Sequence, residues 1–122
     1  MKAFTQPLHD LSEYEQIVSD LAGHRTPIHI DGCIDSQKCH LISSIGEPYP
    51  FKLIVTYNEI KAKEIYEDYQ FFDRNVYYYP AKDIIFYNAD IHSNLIVSQR
   101  MAVIRRMMDG CPVTVVTTID GL

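Results

Sequence analysis

The sequence predicts an α/β fold in which a parallel sheet of about four strands is flanked by helices. Three observations carry this. Short runs rich in β-branched and aromatic residues recur at 52–57, 75–79 and 113–118, the composition that suits a pleated surface. The segments between them are of helix length and carry apolar residues at helical spacing. Glycine and proline stand at the joints. Strands separated by helices join through right-handed crossovers into a parallel sheet covered on both faces.

Each element has its own signal. Ser12-Glu-Tyr-Glu15 reads as a capping box opening a short helix that Gly23 closes. Pro27 to Asp31 is expected as a first strand, and Gln37 to Ser44 as a helix ended by Gly46 and Pro48. Lys52 to Tyr57, "KLIVTY", is the second strand, apolar enough to be covered on both faces. Asn58 can cap the next helix. There Ala62, Ile65, Tyr69 and Phe72 share one face, while Lys61, Lys63, Glu64, Glu67 and Asp68 form the solvated side. "NVYYY", Asn75 to Tyr79, is the third strand, stopped by Pro80. After the irregular stretch "PAKDIIFYNADIHSN", Ser93 or Asn94 starts a helix. Its stripe of Val97, Met101, Ile104 and Met108 should face the sheet, with Arg100 and Arg106 towards the other side. Gly110 ends it, and Pro112 leads into the fourth strand, "VTVVTT".

The chain of 122 residues reads as one α/β domain, with residues 1–25 as a helical extension. It stops at "TTIDGL", a strand feeding a helix that does not follow, so it is expected to be a fragment of something longer. A net charge of −5 with scattered basic residues argues against nucleic-acid binding by the fragment alone. Met1 to Leu11 lacks the apolar run of a signal peptide, and no stretch is long enough to span a membrane. Cys33, Cys39 and Cys111 form no C-x-x-C pair and read as reduced thiols in a cytoplasmic protein. Cys33, Cys39 and His40 match no zinc-finger spacing, so no metal is expected.

One loop carries the chemical question. In "IHIDGCIDSQKCHLI", Gly32 and Lys38 fall in register with the phosphate-loop pattern G-x-x-x-x-G-K-[ST]. Its second glycine is Gln37 and its hydroxyl is Cys39. Gln37 puts a side chain where backbone must approach phosphate. Cys39 offers soft sulfur where Mg²⁺ prefers hard oxygen. Asp35 adds a repelling charge. The loop reads as vestigial or unrelated, with no cofactor expected at Gly32, Gln37, Lys38 or Cys39. His24, His29, His40 and His92 are scattered and pair with no nucleophile, so catalytic residues are expected to be none. Tyr77, Tyr78 and Tyr79 are read as alternating between core and surface rather than as a base-stacking platform. Asp83 to His92 is either a partner surface or a loop packed beneath its neighbouring helices.

"PAKDIIFYNADIHSNLIVSQRMAVIRRMMDG" followed by "PVTVVTTIDGL" resembles the N-terminal region of the bacterial transcription-repair coupling factor (Mfd) family. "KLIVTYNEIKAKEIYEDYQFF" is similar to its strand–helix segment, and the likeness runs from about Gly32 to Leu122. That region is similar to the first domain of UvrB, whose loop at the place of Gly32 to Cys39 is an intact phosphate loop. The resemblance therefore implies a degenerate P-loop NTPase-like domain that has lost ATP binding. UvrB also carries a long DNA-inserting hairpin between the equivalents of Tyr79 and Ser93. Only thirteen residues separate those two here, which implies no damage clamp. The parent would displace stalled RNA polymerase from damaged DNA with a downstream ATP- and Mg-dependent motor, and recruit UvrA. This segment would be a non-catalytic scaffold contacting other domains of the parent. The alternatives are a divergent but functional nucleotide-binding domain and a stand-alone protein-interaction module.

Overall fold

The computed structural model describes the backbone of residues 6–81 and 89–122, and the side chains of residues 7–81 and 95–122. The chain forms two compact units, Met1–Pro48 and Tyr49–Leu122.

The first unit opens with a 3-10 turn, Gln6–Asp10, that runs into helix α1, Tyr14–Ala22. The expected capping box at Ser12 does not form. Glu13 is the N-cap, in helical conformation and without a side-chain bond. The preceding turn explains this: Tyr14 N–H donates to Leu11 C=O at 3.1 Å, so the chain arrives already coiled rather than in the extended geometry a serine cap needs. At the other end, Arg25 N–H donates to Asp20 C=O and His24 N–H to Leu21 C=O, the paired bonds of a Schellman motif. The left-handed position is filled by His24, at φ 57°, and not by the adjacent Gly23. The expected strand Pro27–Asp31 is absent. That segment has no ladder partner, and helix α2 follows at Asp35–Ile45, with Gly46 as its C-cap.

The second unit holds the sheet. Strands β1 (Phe51–Thr56), β2 (Val76–Tyr79) and β3 (Val113–Thr118) run parallel in the order β1-β3-β2. The described residues therefore carry three strands where about four were expected. Helix α3, Glu59–Tyr69, follows β1, and Asn58 caps it by accepting from Lys61 N–H at 2.7 Å. Ala62 and Tyr69 are buried and Ile65 and Phe72 half-buried, so the inward stripe is the one the spacing indicates. Helix α4, Ala89–Met108, begins earlier than expected. Adjacent residues of a strand point to opposite faces. Tyr78 meets Tyr66 of α3, while Tyr77 and Tyr79 lie under Arg106 and Arg100 of α4. The two helices therefore cover opposite faces.

Two expectations about burial fail here. The α4 residue that enters the core is Val103, 3% exposed, packed with Val113 and Val115. The expected stripe points outward: Val97 and Met101 are half exposed and Met108 is 82% exposed, with only Ile104 half-buried. Arg100 takes an inward place. It stacks 4.2 Å from the Tyr79 ring centre and donates to Pro80 C=O at 2.9 Å. A guanidinium satisfies both its charge and its flat face this way, which hydropathy does not register. Similarly, β1 is not covered on both faces. Phe51, Leu53 and Val55 pair with Val113, Val115 and Thr117 and so share α4's face. Helix α4 packs over β2 and β3, leaving these three between 43% and 48% exposed.

Two stability tests follow from this packing. Val103→Ala is expected to lower stability by about 1–3 kcal/mol through lost burial and the cavity left behind, and Arg100→Ala by a similar amount through its lost bonds and stacking. Met108→Ala should stay within about 0.5 kcal/mol. Denaturant unfolding checks the order, and equal losses at Val103 and Met108 would contradict this helix orientation. Separately, His24→Gly should stabilise by about 0.5–1 kcal/mol by relieving a left-handed side-chain-bearing residue. A fall in the thermal midpoint would argue against the Schellman geometry.

Candidate functional site

The loop from Asp31 to Cys39 lies wholly in the first unit. Among the described residues no strand precedes it, and Pro27–Asp31 leads in without a ladder, so the strand–loop–helix setting of a phosphate loop is not formed there. Gly32 sits at φ 85°, a left-handed turn that favours glycine. A Cβ built there would meet nothing within 4 Å, so the residue serves the turn rather than a close backbone approach. The Gly32 N–H donates to the Asp31 carboxylate at 2.8 Å. Ile34, extended, is the N-cap of α2 and has no acceptor of its own. The Gln37 side chain reaches back instead, its Oε1 accepting from Ile34 N–H at 3.3 Å, one half of a capping box.

The remaining motif positions are placed as follows. Asp35 occupies the first turn of α2, where a carboxylate meets the positive end of the helix dipole. Lys38 has an exposed side chain, and its N–H donates to Ile34 C=O at 3.1 Å within the helix. Cys39 is 1% exposed, its thiol turned into the protein and away from any ligand at the loop. Two of the loop's amide groups, those of Gly32 and Ile34, are thus taken by the chain's own side chains, the Asp31 carboxylate and the Gln37 amide.

Beside this loop the first unit holds a cleft of about 550 Å³. Leu8, Leu11, Ile17 and Ile30 line its apolar part, and Glu13 and Asp31 are among its polar lining. Cys33 and His40 also line it, both half-buried. Cys33, Cys39 and His40 do not come together as a metal site: among the described residues no group of three or more His, Cys, Asp or Glu is placed to hold an ion. No disulfide joins the three cysteines. His24 and His29 are exposed, and His92 lies outside the described side chains, as does the stretch from Asp83 to His92.

The tyrosines of β2 offer no free stacking face on α4's side. Arg100 lies over Tyr79, and Arg106 lies 5.4 Å from the Tyr77 ring centre. At the carboxyl ends of the strands, where open α/β sheets bind ligands, the chain fills its own space. The Glu59 carboxylate accepts from Ala81 N–H at 3.3 Å and from the Thr118 hydroxyl at 3.2 Å. Arg100 reaches Gly121 C=O at 3.4 Å. Sequence reasoning missed Asp31, Glu59 and Arg100. For Asp31 a signal existed, since Asp-Gly is a turn dipeptide. For the other two the partners are distant in sequence.

No family model, curated protein or solved structure matches this chain. Among the described residues no helix is long and apolar enough to cross a membrane.

The loop geometry separates two neighbouring side chains. Gln37→Ala removes the acceptor for Ile34 N–H and is expected to cost about 0.5–1.5 kcal/mol. Lys38→Ala should change stability by about 0.5 kcal/mol or less. Parallel denaturant curves test this, and a larger loss at Lys38 would reverse the assignment.

Proposed function

We propose that residues 1–122 act as a non-catalytic α/β scaffold, a degenerate phosphate-loop domain of the kind that opens a transcription-repair coupling factor. One observation carries the non-catalytic part. The turn into α2 is satisfied from within: Asp31 takes the Gly32 N–H, Gln37 takes the Ile34 N–H, and the Cys39 thiol is buried. Asp31 and Asp35 add negative charge where a nucleotide would bring more, and like charges repel. The coupling-factor part rests on the resemblance of the β1–α3 and α4–β3 segments. In this reading RNA polymerase, UvrA and DNA engage other domains of the parent, ATP and Mg serve its downstream motor, and this segment contacts its neighbours in the chain.

A second reading, a protein-interaction module, is favoured by the outward apolar residues of β1 and α4, since contiguous exposed apolar surface marks contact sites. It shares the absence of nucleotide chemistry and differs only in what covers those faces.

ATP or ADP with Mg²⁺ at millimolar concentration should leave the melting midpoint, followed by circular dichroism, unchanged. Binding at a hundredfold excess over Kd would add about 2.7 kcal/mol. A Mg²⁺-dependent rise would overturn the scaffold reading in favour of a live nucleotide site.

A further inference from the structure

The geometry points to the cleft beside Gly32 as a binding site for a small cationic amphiphile, an apolar body carrying a protonated amine. The site goes beyond the scaffold reading and does not depend on it. Its volume of about 550 Å³ lies within the range of small-molecule sites. Leu11 is 54% exposed and Ile30 40% exposed, although both line a concavity. A ligand that covers them removes apolar surface from water, which favours binding in proportion to the area lost. The charge of the lining selects the ligand's head. Glu13 and Asp31 contribute carboxylates, and among the described residues no lysine or arginine lines the cleft. With no lysine or arginine opposite them among the described residues, the two carboxylates attract a cation and repel an anion. Asp31 also holds the turn through Gly32 N–H, so its carboxylate is fixed at the rim rather than free to swing into solvent.

The test titrates phenethylamine against phenylacetate, which share a ring and differ in charge, into the whole chain. The readout is the amide shifts of Gly32, Cys33 and His40. Saturable shifts with the amine, and binding of phenylacetate at least about tenfold weaker, are expected; tenfold corresponds to about 1.4 kcal/mol. In a Glu13→Gln/Asp31→Asn variant the two probes should bind alike. Asparagine keeps the acceptor for Gly32 N–H, so the turn survives, and an unchanged amide spectrum away from the cleft verifies the fold. Equal binding of both probes to the unaltered chain, or no shift with the amine at millimolar concentration, would overturn the proposal. So would retention of the amine preference in the double variant.

Discussion

The second unit depends on how the central strand satisfies its threonines. All six residues of β3 are buried, and three of them carry hydroxyls. A buried hydroxyl without a partner costs about 1–3 kcal/mol, so each needs one. Thr114 donates to the Asp73 carboxylate at 3.3 Å, Thr117 to Tyr79 C=O at 2.8 Å, and Thr118 to Glu59 at 3.2 Å. Glu59 is the first residue of α3, and Asp73 lies in the loop between α3 and β2. Helix α3 is therefore fastened to β3 through Glu59 at its start and through Asp73 in the loop that follows it, while the alanine and tyrosine of its inward face fill the space between. The Thr117 bond joins β3 to β2 beyond the ladder itself. At Gly121 an added Cβ would collide with the Thr117 hydroxyl.

What could be read from the sequence is what local signals govern. The three strands, the Asn58 cap and the inward stripe of α3 follow from composition and spacing within a dozen residues. The strand expected at Pro27–Asp31 shows the limit. Alternating Ile28 and Ile30 give strand character, but a strand exists only with a partner, and pairing is non-local. Helix α4 shows another. Two stripes compete on it, one through Val97, Met101 and Ile104, the other through Ile96, Arg100 and Val103. Hydropathy favours the first because it counts Arg100 as polar. The second packs because the Tyr79 ring on β2 offers the Arg100 guanidinium a flat face.

The loop was legible in a different way. Its spacing suggested phosphate chemistry, and its departures at Gln37 and Cys39 argued against it. The structure supplies the positive content that the pattern lacked. Gln37 closes the turn of α2, and Gly32 is needed for a left-handed bend. Asp31, which the phosphate-loop pattern passes over and the Asp-Gly dipeptide marks, organises that bend. Glycine and lysine at a familiar separation say little until the partners of the intervening amides are known.

The strand order also has a consequence for how the molecule comes to exist. Among the described residues β1 and β2 pair only with β3, and Phe51 finds its ladder partner at Val113, Val76 at Thr114. No pair of strands can form until the last of the three has been synthesised. At about 5–20 residues per second on the ribosome, β1 waits several seconds as an apolar segment with no sheet to join. Loop closure over such separations slows folding as well. During that interval α3 can coil on its Asn58 cap, but the carboxylates of Glu59 and Asp73 have no threonines to meet. The interval before β3 emerges is the period in which a chaperone, or another nascent chain, has most access to "KLIVTY".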